Sequence, residues 1–502
     1  MSYTREVAIQ IDLAEFQENA EQKLRIKISG DGAKMTRMTS FVIMSFSLLD
    51  NDDVMSSKGS HTIGVVKGVE SYELLRDSFK DVFNTINQIV KDGKISIKDH
   101  NIPVELLLGG DYKFLLLLLG MKSATSDHSC IWCTIHKNNR FDMSKSQEYY
   151  SHPPMSRTLE EIKKCALKQN LSCVHPPLVD IPLQNIVLDE LHVMLRVTDI
   201  LTRNLVTAAI SWDKKENYDR RPCERTNLHV EALLSAINSC GVCFKIWEKK
   251  DADGKGSGTY DFTSLMGSDK KLLLSNLPEK LDGVVDEGTS ATVIKIWKDF
   301  SEIYQMLNEQ NPSDEYITSY FEKAKAWILL FTSLGGICEG YGKANVTPYM
   351  HSMVYHVPRF MKTHTGVKRF TGQGTEENND DCRRIHLRKS NKWDAAGDVL
   401  YVMKRVEAIS EHERTPRAYT KRSAQYWEND LLERREKHKR LGKTQRIGNP
   451  SQAAVQHNIE QLSPAELRKQ LKTLGVSTRA RNLKRLQQMY QDALNQVTNS
   501  SD

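Results

Sequence analysis

The stretch LRIKISGDG (24–32) decides the fold. Leu24, Ile26 and Ile28 alternate with Arg25, Lys27 and Ser29, which is the period of a half-buried strand. The run ends in Gly30-Asp31-Gly32. Working outward, 39–48 and 61–66 read as two further strands. Residues 71–90 carry a helical period through Leu74, Leu75, Phe79, Val82, Phe83, Ile86 and Ile89. A short buried strand, VELLL (104–108), stops at Gly109-Gly110-Asp111. The order β-β-β-α-β, followed by a helix, predicts an α/β core within 1–120.

Residues 122–342 read differently. They are mostly helical by pattern, as in 186–205 and 291–307, with loops such as HPP (152–154) and an exposed tip, DADGKGSG (251–258). A last long helix is predicted after Gly374, with Val399, Leu400, Val402, Met403, Val406 and Ile409 at three- to four-residue spacing. Pro416 ends it at the latest.

The chain has 502 residues, enough for about three or four domains. With 39% hydrophobic and 27% charged residues it can bury a large core, which excludes a wholly disordered chain. The net charge of +6 is unevenly spread. Residues 401–502 hold 20 Lys+Arg against 11 Asp+Glu, while the first 400 hold 50 against 53. The positive excess lies in the last fifth, where it could meet a polyanion. No span approaches the roughly 20 apolar residues that cross a bilayer, so no membrane association is expected. The first ten residues have no apolar core of a secretory signal. Nine cysteines, sparse and odd in number, argue for a reducing compartment and for reading any Cys pair as a metal or core candidate.

Three acidic positions stand out. Asp31 closes the first strand, Asp111 follows the fourth, and Glu376, with Glu377 beside it, begins the late helix. Phosphoryl transfer with two divalent metals needs carboxylates converging from separate rigid elements. The ions are Mg²⁺ or Mn²⁺, which favour hard oxygen ligands. The competing reading is three surface acids. A second set is Cys130-x2-Cys133 with His351-x4-His356, the ligand spacing of a tetrahedral zinc site. The competing reading is a core Cys pair with two unrelated histidines; His136 or His175 could also replace one of the later pair. Positions five apart on an ideal helix diverge by ~140°. The segment should therefore bend or end near Pro358. Cys240-x2-Cys243 has no second ligand pair nearby and reads as packing. His192 lies on an amphipathic helix in Asp189-Glu190-Leu191-His192.

With these residues in place, the stretch from Leu24 to Ile409 resembles the catalytic core of Transib-type DNA transposases and of the related V(D)J recombinase. The resemblance is an order of motifs. Ser29-Gly30-Asp31-Gly32 looks like the first catalytic Asp, and Gly109-Gly110-Asp111-Tyr112-Lys113 like the second. Cys130 and Cys133 are similar to the zinc cysteines of the family, and His351 and His356 to its zinc histidines. Leu191-His192 resembles a segment near the active site, and Gly374-Thr375-Glu376, followed by Arg383-Arg384, the catalytic Glu and its basic helix. A one-residue shift would exchange Glu376 for Glu377. The resemblance implies an α/β (α+β) fold, with an RNase H-like mixed sheet interrupted by a helical, zinc-containing insertion. The core would comprise 1–120 and 361–415, and the insertion 121–360. It also implies two catalytic Mg²⁺ or Mn²⁺ ions, one structural Zn²⁺, DNA as partner, and a homodimer or higher oligomer. Only 30 residues precede Asp31, whereas the family carries DNA-end-binding and dimerisation segments there. The expectation is a truncated or domesticated copy.

The remainder, a basic linker (416–461) and a helical module (462–495), looks appended. Lys421-Arg422 and the run RREKHKR (434–440) read as a bipartite nuclear localisation signal, a phosphate-binding patch or a solvated charged helix. Ser463-Pro464-Ala465-Glu466 is a capping box with Pro at the first helical position. Leu467, Leu471 and Leu474 form an apolar face, Gly475 suits a helix stop, and Leu483, Leu486, Met489 and Tyr490 line a second helix. This pair resembles a SAP domain, although the Gly usual before its second helix is replaced near Ala480 or Arg481. The resemblance implies phosphate contacts from Arg479, Arg481, Lys484 and Arg485; a hairpin for protein contact is the alternative. The expected function is DNA strand cleavage and transfer by a nuclear DDE-type transposase. A catalytically inactive DNA-binding or chromatin derivative and a stand-alone RNase H-like nuclease are the rivals.

Overall fold

The computed structural model describes residues 2–4, 23–97, 100–254, 256–410, 462–474, 476, 478 and 482–499. The chain divides into two compact units, Met1–Glu413 and Arg414–Asp502. The first is mixed α/β. Its sheet contains β1 (Ser2–Thr4), β2 (Leu24–Lys34), β3 (Ser40–Leu48), β4 (His61–Lys67), β5 (Lys94–Ile97) and β6 (His100–Gly110), in the order β1-β4-β3-β2-β6-β5. β2, β3 and β4 are antiparallel neighbours. β6 runs parallel to β2, in register from Leu24 opposite Val104 to Gly30 opposite Gly110.

A parallel neighbour needs a crossover connection, and two helices lie within it, α1 (Tyr72–Ser78) and α2 (Lys80–Asp92). The single helix expected over 71–90 is thus two, parted at the buried Phe79, whose backbone leaves the helical region. β6 is longer than the expected 104–108 strand, because β5 pairs with its first half as an antiparallel hairpin. α3 (Tyr112–Leu118) follows β6 directly.

β2 is not half-buried as the alternation suggested. Lys27 and Ser29 are each only 2% exposed. Both faces of the sheet are covered, and successive residues of β3 divide between them. Val42 and Met44 belong to the large core with Leu75, Phe79 and Phe114. Phe41 and Ile43 belong to a second core with Cys382, Ile385, Val399 and Leu400.

Residues 121–360 are helical for the most part. They contain α4 (Leu159–Lys168), α5 (Glu190–Glu216), α6 (Leu228–Asn238), α7 (Gly267–Asn276), α8 (Glu287–Leu307), α9 (Asp314–Ser333) and α10 (Pro348–Tyr355). The glycine-rich tip is the turn of a two-stranded ribbon, β7 (Ile246–Lys250) with β8 (Gly256–Phe262). The helix expected over 186–205 starts later, at Glu190, because Ile186 makes a parallel bridge to Leu108 of β6. α11 (Val357–His364) leads to α12 (Gln373–Arg388) and α13 (Ala395–Ser410). The single late helix is thus two. Asp398 accepts from Ser390 Oγ at 2.9 Å and from Asn391 N at 3.0 Å, which turns the chain between them.

In the second unit, α14 (Pro464–Thr473) carries the expected capping box and packs on α15 (Leu483–Asn499) through Leu467, Leu471, Leu486 and Ala493. Leu483, assigned to the apolar face, is 41% exposed; Ala493, two helical turns beyond Leu486, fills that role. Arg485 is exposed on α15. Gly475, Arg479, Arg481, the side chain of Lys484 and the whole of 416–461 lie outside the described residues.

One glycine fixes how α3 meets the sheet. A Cβ on Gly30 would lie 2.3 Å from Phe114 Cζ, so the bare backbone lets the phenyl ring pack flat on β2 beside Asp31. Overpacking of this kind costs roughly 1–3 kcal/mol. Gly30→Ala should lower stability by about that amount, read by thermal or urea denaturation.

Candidate active site and metal centre

The parallel ladder of β2 with β6 stops at Gly30 and Gly110, and β2 runs on to Lys34 along β3, so Asp31 lies within the strand rather than closing it. Asp31 follows Gly30 on one strand, and Asp111 follows Gly110 on the other. Asp111 also caps α3, accepting from Phe114 N at 2.7 Å through Oδ1. α12 packs along β2 and carries Glu376 in its first turn. One turn further, Asn379 donates to Asp31 Oδ2 at 2.7 Å, and Arg383 donates to Lys34 O at 3.0 Å. Positions three and seven residues on from Glu376 share its face of the helix. Successive residues of a helix diverge by ~100°, so Glu377 points elsewhere. Its Oε2 accepts from Ser57 N at 2.8 Å. The structure therefore groups Glu376, and not Glu377, with Asp31.

Asp31 records the crowding. Burial first, then the charges of Glu376, Asp111 and Glu70, push its carboxyl up to about 7. Glu70, in the loop between β4 and α1, was missed by sequence reading. Its side chain is 4% exposed, Oε2 pairs with Lys113 at 2.5 Å, and Oε1 is buried without a hydrogen-bond partner. Burial raises its pKa against the opposing bond from Lys113. Nothing in the local pattern around Glu70 marks it. Only the fold carries it to Asp111.

His192 stands beside this cluster. Its Nε2 lies 3.5 Å from Glu376 Oε1, and its Nδ1 meets Asp189 Oδ2 at 2.5 Å. Burial disfavours the imidazolium, but the Asp189 carboxylate outweighs it and holds His192 at about 10. The ring is a fixed cation at neutral pH. Asp189 is fully buried at the start of α5, and its Oδ1 accepts from Leu191 N at 2.9 Å and Gly372 N at 2.8 Å. It ties α5 to the entrance of α12. Beside it Lys27, lowered by burial to about 8, donates to Thr371 O at 3.0 Å, and Glu190 pairs with Lys368 at 2.7 Å. Asp189, Asn379 and Lys27 had no assigned role. Their short-range sequence context is ordinary, and their partners lie 183, 348 and 344 residues away.

A second cluster lies in the helical region. Cys130, Cys133, His351 and His356 are all buried, with ligand atoms within 4.8 Å of one another. His356 Nε2 is 3.3 Å from Cys130 Sγ, and His351 Nε2 is 3.3 Å from Cys133 Sγ. Tetrahedral zinc with Zn–S of ~2.3 Å and Zn–N of ~2.0 Å requires S···N separations of ~3.5 Å. The four side chains can hold a structural metal such as zinc. The predicted break is present: α10 stops at Tyr355, His356 lies between the helices, and Pro358 opens α11. His136 and His175 are not ligands. His136 caps a short turn through Asn138 N, and His175 stacks on Tyr72. Cys240 is buried and Cys243 exposed, and they belong to no metal-type cluster among the described residues.

Two outcomes follow. Purified protein should contain about one zinc per chain, lost in Cys130→Ser together with a drop in melting temperature, measured by elemental analysis and calorimetry. Asp31 supplies a pH test. Its folded pKa of about 7 lies above the ordinary 3.8, so the folded state holds a proton more tightly than the unfolded one. That stabilisation is complete below ~4 and is lost as pH rises through ~7. Without added divalent metal, Asp31→Asn should be more stable than wild type at pH 8, by on the order of a few kcal/mol. The gap should narrow from pH 7 toward pH 4.

No helix among the described residues is long and apolar enough to cross a membrane. No protein-family model matches the chain, and no curated protein matches it.

Proposed function

We propose that the protein is a DDE-type DNA transposase or recombinase, or a domesticated derivative, whose acidic site cleaves DNA strands and joins them by transesterification. The observation that carries this reading is the convergence of Asp31, Asp111 and Glu376 from three rigid elements. It leaves Asp31 near neutrality in its titration and Glu70 with an unpartnered carboxylate oxygen. Carboxylates crowd in this way where a divalent cation supplies the missing positive charge. The spatial order β4-β3-β2-β6, antiparallel but for the parallel β2–β6 pair, supports an RNase H-like core, to which β1 and the antiparallel β5 add the two edges.

In this reading Asp31, Asp111 and Glu376 would hold two Mg²⁺ or Mn²⁺ ions, and the unpartnered Oε1 of Glu70 would be available to join them. Such ions, when bound, activate the attacking oxygen and stabilise the leaving one. Asn379 orients Asp31 through its amide. His192, buried and held charged by Asp189, would steady Glu376 through its Nε2. The zinc cluster acts at a distance, fastening the segment after α3 to the one before α12. The basic residues of 401–502 and the SAP-like module would add a salt-sensitive, sequence-independent hold on DNA, with the nucleus as the working compartment. Assembly as a homodimer or higher oligomer belongs to the same proposal.

The test is a strand-nicking and strand-transfer assay in Mn²⁺ and in Mg²⁺. Asp31→Asn and Glu376→Gln should each reduce nicking at least about a hundredfold, whereas Glu377→Gln should stay near wild type. Absence of nicking by wild type in either metal, with DNA binding retained, would replace the enzyme with a DNA-binding derivative. Cleavage of RNA–DNA hybrids without strand transfer would indicate an RNase H-like nuclease.

A further inference from the structure

The far end of α12 carries a surface that the acidic site does not use. Trp393, in the turn between α12 and α13, is 95% exposed. An indole that large is seldom left in water, because burying it on a partner is strongly favourable. It shares a depression with Lys67, Asp394, Ala395 and Ala396. Arg388, Lys389 and Lys392 are exposed just before it.

Among the described residues, Lys67, Arg388 and Lys389 of this patch make no ion pair. Lys392 donates to the His386 carbonyl, which leaves its charge uncompensated. Lys392 and Lys67 are both within electrostatic reach of the His386 imidazole, so the two ammonium groups belong to one patch. The neighbouring acids are engaged elsewhere. Asp380 and Asp381 pair with Arg383 and Arg384, and Asp398 accepts from Ser390 and Asn391. Asp394 accepts from Gly397 N at the start of α13.

We propose that Trp393, with Lys67, Arg388, Lys389 and Lys392, is a docking surface for single-stranded or locally unpaired DNA, the indole stacking on an exposed base. Cations alone suffice for the phosphates of a duplex, whose base faces are already stacked. A protruding indole among them has a matching surface only where a base is bare. The assignment of DNA as partner rests on the proposed cleavage function. Glu376 and Arg388 are separated by ~18 Å along the helix axis, at 1.5 Å per residue. The patch would therefore meet DNA flanking the cut rather than the scissile phosphate.

The test uses the full chain, without divalent metal, and compares an oligothymidine with a duplex of equal length at fixed salt. Trp393→Ala should weaken single-strand binding about tenfold and change duplex binding by less than about twofold. Trp393→Phe, which keeps an aromatic face, should recover most of the affinity. It should also lose the part of the single-strand fluorescence quenching that the indole supplies. Wild-type single-strand affinity in Trp393→Ala, or an equal loss on both DNAs, would overturn the proposal. So would quenching in Trp393→Phe equal to that of wild type. These readouts need no cleavage, so an inactive acidic site would leave this surface standing, and nicking with no Trp393 effect would remove this surface alone.

Discussion

The pairing on which the site depends is the parallel register of β2 with β6. Gly30 lies opposite Gly110, and each is followed by an aspartate. Two carboxylates thereby emerge side by side where the parallel ladder ends, and no backbone shift of one can occur without breaking a ladder shared with the other. The glycines are part of this constraint. Phe114 rests against both of them, so α3 can begin at Asp111 without pushing the strands apart. A slip of one residue would send Asp31 to the opposite face of the sheet.

Like charges gathered in one corner repel, and the fold offsets this with cations fixed from other elements. Lys113 holds one oxygen of Glu70, and His192 stands against Glu376. His192 itself is charged because Asp189 is buried behind it, and Asp189 is anchored by the amides of Leu191 and Gly372. The compensation is incomplete. Asp31 still titrates near neutrality, and one oxygen of Glu70 has no partner. That residual imbalance separates this corner from an ordinary buried ion-pair network, in which every acid would have its counter-charge.

Those parts of this arrangement that follow from local periodicity or short spacing were legible in the sequence. The strand that carries Asp31, the glycines before Asp111, the Cys-x2-Cys pair and the break at Pro358 each depend on residues within a few positions. Glu70, Asp189, Asn379 and Lys27 were not legible as site residues. Each acquires its role from a partner brought close only by the finished fold. The two mistaken single helices have one cause. Apolar spacing ran on across Phe79 and across the turn at 389–394, while the signals that end a helix there, a buried ring and an Asp398 side chain reaching back, carry no fixed spacing. The ribbon β7–β8 escaped for the opposite reason. Both of its faces are largely exposed, so its strands lack the alternation that marks a buried one.

The insertion therefore does more than separate Asp111 from Glu376 in sequence. Its first segment holds Cys130 and Cys133, its last helix His351, and its α5 begins with Asp189. The cysteines and His351 meet in one cluster with His356, and Asp189 bonds Gly372 at the entrance of α12. The zinc-type cluster closes a loop of more than 200 residues, and the Asp189–Gly372 bond closes another of 183. The entropy of closing a loop rises only slowly with its length, so a few well-buried contacts are enough to register such a long excursion. The position of Glu376 relative to the two aspartates is then set jointly by the sheet, through Asn379, and by the insertion, through Asp189. A change deep in the helical region, far from any carboxylate, would act on the site by moving Gly372 and the helix that begins beside it.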